Sequence, residues 1–277
     1  MDNHMAMTVP NFTPLQASLW LTLCGRALDN RLPHPVLGDE MADEIVRKVD
    51  FDYKKLGIPT SSAIYIAHRA KKLDEIAQRF IDRHPNAVGL DLGAGLDSRA
   101  LRVTLPPAAD WYDIDFAEVI AARRQLLPDR ATPHDVSADL TDPTWLDALP
   151  TDRPAVAVAD GLIAFLSEEE MISLVNRIID HFPSGEIAFN GYSKFAVWAQ
   201  KRFGGAESIR DITKFPGFDD PRYPERWNPK LKLVKEILCT REPEVAEFPL
   251  GLRLMNRLTA PSEAVSRRGN VVLHYRF

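Results

Sequence analysis

Val88-Gly-Leu-Asp-Leu-Gly-Ala-Gly-Leu-Asp-Ser-Arg99 reads as a short apolar strand that runs into a glycine turn and then opens a helix. Glycines at 93 and 95 permit a sharp turn and let a ligand approach the backbone closely. In an open parallel sheet, ligands bind just beyond the carboxyl ends of the strands, where such a turn sits. The third glycine of a dinucleotide loop is replaced here by Ser98, and Asp91 and Asp97 bracket the turn. Two carboxylates are poor neighbours for a pyrophosphate held at a helix N-terminus. They are tolerable beside a sulfonium or an ammonium group, which points to S-adenosylmethionine over a nicotinamide dinucleotide.

Outward from this run, the chain alternates strand-like and helix-like segments. Ala87–Leu92, Asp110–Asp115, a strand ending near Ser137, Pro154–Ala159 and Gly185–Tyr192 are strand candidates. Helices are expected over Phe116–Leu127, around Pro143–Leu149, and from Ser167, whose spacing to Glu170 is that of a capping box, through Asp180. This order predicts a mostly parallel sheet with helices on both faces. Before it, helices are expected at Pro14–Ala27, Asp39–Val49 and Ser61–His84, the last capped by Ser61 or Ser62. After it, 193–229 is rich in aromatics, Gly and Pro and reads as an insertion over the sheet's carboxyl edge. Leu231–Leu238 reads as a sixth strand, Leu250–Leu258 as a helix, and Asn270–Phe277 as a final antiparallel strand.

The expected binding residues fall in serial order at successive strand ends. Asp113 and Asp115 lie on one side of the second strand, and Asp115, nearer its end and followed by Phe116, is the better placed to accept ribose hydroxyls. Asp139 beside Leu140 suits an adenine, the acid accepting from the amine while the leucine covers the ring. Asp160-Gly161, after the fourth strand, sits over the methyl-donor end of the cleft. One such acid is ordinary turn chemistry; four in this order are not. Tyr192, Phe195 and Trp198 are spaced to line an aromatic acceptor pocket, to which Phe165 is also assigned, or to pack as core.

Bulk properties narrow the function classes. A formal net charge of -5 over 277 residues gives no overall attraction for nucleic acid or an anionic membrane. Cys24 and Cys239 have no metal-ligand spacing and make no disulfide framework. No metal site is expected. No apolar run approaches the ~20 residues of a membrane helix, and the N-terminus does not resemble a secretory signal, so a cytoplasmic protein is expected. His68 and His134 are not placed as a general base.

The stretches Ala67–Asp74, His84–Arg99, Tyr112–Phe116 and Ala159–Leu166 resemble the leucine carboxyl methyltransferase superfamily, and in particular its bacterial tetracenomycin-type O-methyltransferase branch. Gly93-Ala94-Gly95-Leu96-Asp97-Ser98-Arg99 is the most characteristic of them. The resemblance spans about 14–277. It implies a class I methyltransferase fold: a seven-stranded Rossmann-like sheet, an N-terminal helical cap over 14–84, a cofactor-binding core over 85–192, a lid inserted after strand five over 193–230, and closing strands over 231–277, all in one domain. It also implies that Arg69 binds the cofactor carboxylate, with Arg26 as a second candidate. Gly93 would contact the methionine portion, Asp115 the ribose, Asp139 and Leu140 the adenine, and Asp160 the methionine amino group. Leucine carboxyl methyltransferases proper carry Glu where this chain has Asp160 and Tyr where it has Phe165. A small-molecule acceptor is therefore expected rather than a protein tail, most simply a carboxylate. A phenol or other hydroxyl acceptor is the alternative, and a nicotinamide-dependent oxidoreductase or a non-catalytic cofactor-binding protein ranks behind both. The sequence does not specify an oligomeric state.

Overall fold

The computed structural model describes residues 12–49, 56–128, 133–191, 193–203 and 211–277. Its centre is a seven-stranded sheet: β1 (Val88–Leu92), β2 (Asp110–Asp115), β3 (Pro133–Ser137), β4 (Ala155–Ala159), β5 (Gly185–Gly191), β6 (Lys232–Leu238) and β7 (Val271–Arg276). They lie in the order β3-β2-β1-β4-β5-β7-β6. The first five are parallel, and β7 runs antiparallel to both β5 and β6. The strand order reverses direction between β1 and β4, and a crevice opens at such a switch point.

Every residue of β1 and β4 is buried, as expected for parallel strands covered on both faces. Alternation along β4 divides the core. Ala155, Ala157 and Ala159 face one cluster with helix α7 (Glu168–His181), while Val156 and Val158 face another with the long helix α4 (Thr60–Arg83). Gly89 leaves room for a neighbour: a Cβ there would come within 2.1 Å of the Trp111 ring.

The cap consists of α1 (Pro14–Ala17), α2 (Leu19–Asn30), α3 (Glu40–Lys48) and α4. Thr13 and Gln16 close a capping box at α1, which ends at Ser18 before α2 begins. Asp39 caps α3 by accepting from the Ala42 amide at 3.1 Å. Neither Ser61 nor Ser62 caps α4: the helix starts one residue earlier, Pro59 takes the N-cap position, and no side chain caps it. Proline's restricted φ suits that boundary. The turn after β1 leads into the short helix α5 (Arg99–Arg102), and apolar residues of α2 and α3 pack on Leu96 and on Val119, Ala122 and Leu126 of α6 (Ala117–Leu126). The cap is thereby pressed onto the turn after β1. The segment 143–148 winds as a 3-10 helix rather than an α-helix.

The inserted lid after β5 has two parts of opposite character. Helix α8 (Lys194–Phe203) turns Phe195 and Trp198 outward, 46% and 54% exposed. Phe215, Phe218 and Trp227 instead join the core cluster beneath the sheet, and the Lys214 and Phe215 amides donate to the Ala164 carbonyl. No helix among the described residues is long and apolar enough to cross a membrane.

Candidate functional site

A cavity of about 520 Å³ opens beyond the carboxyl ends of β1, β2, β3 and β4, within the ~300–1,000 Å³ typical of small-molecule sites. The sheet provides its floor. Its roof comes from α1 and α2, the segment 56–59, α4, and Gln200 of α8.

The glycine turn builds one wall. Gly93, Gly95 and, across the cavity, Gly161 adopt φ of 67°, 52° and 80°, a region that side chains avoid. The Gly93 and Ala94 amides both donate to the Ile114 carbonyl at 2.9 and 3.1 Å, tying the turn to β2. Asp115 closes the other side of the turn, accepting from the Gly95 amide and the Phe116 amide, each at 2.7 Å. Burial raises the Asp115 pKa above the usual carboxylate range, against the pull of those two amides.

Asp91, Asp97 and Arg99 belong to a buried ion network that the sequence reading missed. Arg99, fully buried, donates from Nη1 to Asp91 and from Nε to Asp74, both at 2.7 Å, and lies 3.2 Å from Asp97. Arg102 bonds Asp74, Asp97 and Asp39. Arg26 donates to Asp39 at 3.0 Å and to the Leu96 carbonyl at 3.2 Å. The Ser98 hydroxyl, where a third glycine would stand, donates to Asp39 at 2.8 Å. Burial opposes ionisation of Asp97, yet Arg102, Arg26 and Arg99 together hold its carboxyl well below the usual range. Burial also pushes Asp91 upward, with Arg99 as the main group holding it down.

One expectation changes here. The acids flanking the turn line the cavity, but their charge is matched by buried arginines, so they do not by themselves set the polarity of the ligand. Arg26 also lines the cavity, and its hydrogen bonds to Asp39 and the Leu96 carbonyl brace the cap against the turn. Arg123 of α6 is a further clamp: it donates to the Gly95 and Asp97 carbonyls, each at 2.9 Å, and to Asp113. Asp113 also accepts from the Trp111 indole. It therefore braces the scaffold, while Asp115 faces the cavity.

Arg69 on α4 and Asp160 after β4 meet across the cavity as an ion pair, 15% and 6% exposed. The second Asp160 oxygen, Oδ2, is buried with no hydrogen-bond partner among the described residues. The turn that carries it is held by Asn190 of β5, whose Oδ1 accepts from the Gly161 amide at 2.7 Å. Asp139 accepts from the Thr141 amide and hydroxyl with one oxygen, Oδ1. It lines the cavity with Leu140, Phe116 and Phe165.

All twelve residues expected to hold the cofactor thus line one cavity: Arg69, Asp91, Gly93, Ala94, Gly95, Asp97, Asp115, Phe116, Asp139, Leu140, Asp160 and Gly161. Of the aromatic residues expected at the acceptor end, Phe165 lines it as well, and among the described residues Phe195 and Trp198 do not. Phe195 and Trp198 lie on the outer face of α8, 5.6 Å apart, with the Arg268 guanidinium 5.1 Å over Phe195. Tyr192 lies outside the described residues. The reading missed Ser62, Tyr65 and Ile66, which line the cavity on the same face of α4 as Arg69. Helical spacing from Arg69 would have found them. It also missed Thr22 and Leu19 of α2 and Gln200, for which no local signal exists.

The leucine carboxyl methyltransferase family model matches residues 20–179. The chain is 38% identical over 228 residues to the tetracenomycin polyketide synthesis O-methyltransferase TcmP of Streptomyces glaucescens, covering 78% of this chain and 83% of that protein. It is 31% identical over 251 residues to the S-adenosyl-L-methionine-dependent methyltransferase dpfgK of Gibberella zeae, covering 83% and 84%. Among solved structures, a candidate methyltransferase from Thermobifida fusca superposes with a TM-score of 0.51 at 15% identity, covering 91% of this chain and 93% of the other. That likeness speaks for the fold alone.

Proposed function

This chain belongs to the leucine carboxyl methyltransferase family of class I S-adenosylmethionine-dependent methyltransferases, and from that premise we propose that it methylates a carboxylate oxygen of a small molecule. The observation that carries the acceptor class is the composition of the cavity wall. Among the described residues that line it there is no histidine or lysine, and every lining acid already has a partner: Asp91 and Asp97 in Arg99 and Arg102, Asp115 in two backbone amides, Asp139 in Thr141 and Asp160 in Arg69. A carboxylate is already ionised near neutral pH and needs no base, whereas a phenol with a pKa near 10 does. The relative named for tetracenomycin polyketide O-methylation supports an oxygen acceptor on a secondary metabolite.

The side chains suit the cofactor. Asp160 Oδ2, buried and without a partner, is placed to accept from an ammonium group, and Arg69 to take a carboxylate through its planar fork. A zwitterionic amino acid end would then satisfy both members of the pair. Asp115, at the end of β2, would accept ribose hydroxyls, and Asp139 and Leu140 would hold the adenine edge and face. The positive-φ glycines leave the backbone open to close approach. When bound, the cofactor supplies a methyl carbon attached to a sulfonium leaving group. The chain's own contribution is positioning and exclusion of water. Reacting atoms must be held ~3–3.5 Å apart and in line, and the Leu19, Leu21, Ile58, Ile66, Leu162 and Phe165 lining is apolar and closed over by the cap. Phe165 has no hydroxyl to contribute, in keeping with a small carboxylate whose remaining body is apolar.

The test has two stages. Calorimetry with S-adenosylhomocysteine should show binding by the parent and weaker binding by Arg69→Ala and Asp115→Ala. Methyl transfer is then screened over aromatic carboxylic acids and matched phenols. Carboxyl methylation should be nearly independent of pH above about 6, whereas phenol methylation should rise towards the phenol pKa of ~10. Transfer to phenols only would overturn the acceptor assignment and leave the cofactor assignment standing.

A further inference from the structure

Helix α9 (Leu250–Thr259) is inverted relative to an ordinary surface helix. Its polar Asn256 points inward, 1% exposed, and donates to the Tyr65 hydroxyl at 2.9 Å and to the Leu252 carbonyl at 2.7 Å. Leu252 packs on the inner cluster of Val36, Ile64, Val245 and Phe248. Outward, Leu250, Leu254 and Leu258 form an i, i+4, i+8 stripe, 61%, 50% and 84% exposed, and Met255 beside it is 48% exposed. The inner contacts fix which way the helix faces. A contiguous apolar face of this kind marks an interaction surface.

We propose that this face binds the same face of a second copy of the chain, the two α9 helices packing antiparallel about a two-fold axis near Leu254. Three features select that occupant. The stripe is self-complementary under a two-fold: with Leu254 on the axis, Leu250 lies opposite the partner's Leu258, and the reverse holds. The charges flanking it are opposite in sign and placed to cross. Glu247 precedes the helix and Arg257 lies near its end, and among the described residues neither is in an ion pair or a side-chain hydrogen bond. In this register Arg257 of the partner is level with position 251, four residues past Glu247; Phe248 and Pro249 between them are extended, which puts Glu247 at most about 10 Å away at ~3.3 Å per extended and ~1.5 Å per helical residue. The Arg257 and Glu247 side chains together span that distance. Finally, Gly251 is exposed with nothing within 4 Å of a would-be Cβ, leaving room for a partner side chain beside Leu250. This inference does not depend on the acceptor assignment.

Sedimentation velocity of the full-length chain across the micromolar range is the test. The parent should dimerise with concentration. Leu254→Lys, which sets two ammonium groups face to face on the axis, should weaken association at least tenfold and leave the melting temperature of the monomer unchanged. Glu247→Arg and Arg257→Glu should each weaken it, and the double exchange should restore it. A parent that stays monomeric throughout the range, or a dimer indifferent to Leu254→Lys, overturns the proposal. Failure of the double exchange to restore association overturns the antiparallel pairing.

Discussion

Replacing Arg99 with Met keeps a long apolar stem and removes only the guanidinium. Asp97 and Asp74 retain Arg102, and Asp97 retains Arg26. Asp91 keeps no ion pair: among the described residues Arg99 is its sole ion-pair partner, and the Asp91 side chain is 2% exposed, with Arg123 the remaining nearby cation. Burial already pushes Asp91 up to about 8, with Arg99 as the main group opposing it, so near neutral pH Asp91 is largely protonated in parent and variant alike. The loss at pH 7 comes from the Arg99 hydrogen bonds to Asp74 and Asp91; at ~1–3 kcal/mol for each buried partner left unsatisfied it amounts to about 2–4 kcal/mol. Unfolding entropy of ~2.1 cal/mol/K per residue over 277 residues converts that into a melting temperature lower by about 3–7 °C. Removing Arg99 moves the folded pKa of Asp91 further up, so an added penalty appears as pH rises through about 8, where the parent Asp91 ionises and the variant's does not. Thermal unfolding followed by circular dichroism at about pH 6, 7 and 9 reads both quantities. Adding Asp91→Asn to Arg99→Met should abolish the added loss at about pH 9. A loss under ~1 kcal/mol at pH 7, or one that is no larger at pH 9 than at pH 6, would refute the reasoning.

Other outcomes are expected. Asp115→Ala should weaken S-adenosylhomocysteine binding by tenfold or more, since a hydrogen bond to a charged group contributes ~1.5–3 kcal/mol; equal affinity by calorimetry would remove Asp115 from the site. Gly185→Ala should destabilise by about 1–3 kcal/mol, because its Cβ would meet the Ala155 carbonyl oxygen at 2.2 Å, part of the sheet backbone. Gly25→Ala should cost less, since its Cβ would meet the movable end of Ile66 at 2.6 Å; the reverse order in chemical denaturation would contradict this. Burial, with help from Lys72 and against Glu244, lowers the His68 pKa from 6.5 to about 4. Between those values the unfolded chain binds a proton that the folded one does not, so stability falls as pH falls through that window. His68→Gln should flatten that part of the stability–pH curve, and an unchanged slope would show that other groups cause it.

Much of this protein was legible in local pattern. Strand and helix order from Val88 to Gly191 follows from apolar runs punctuated by glycine, proline and the Ser167–Glu170 capping box, because those signals act within a few residues. The serial acids Asp115, Asp139 and Asp160 were readable for the same reason: a strand end followed by an acid is a local arrangement, and the parallel sheet then brings such ends together. The role of Asp97 and Arg99 was not legible. Their motif marked the family, but Arg26, which pairs with Asp97, and Asp74, which pairs with Arg99, stand 71 and 25 residues away in sequence, and no spacing rule reaches that far.

The aromatic lid shows the same division. Phe195, Trp198, Phe215 and Phe218 are equivalent as a composition, and only packing separates the first two, turned outward on α8, from the second two, buried under the sheet. Sequence by itself determined the order of elements, the turn after β1 and the acids that line the cavity, since each depends on near neighbours and the period of a strand or helix. Tertiary structure alone decided which charges are cancelled by buried arginines, which aromatics are core, and that α9 faces Leu250, Leu254 and Leu258 outward. Those outcomes depend on contacts between residues far apart in the chain, whose meeting is set by how the layers stack.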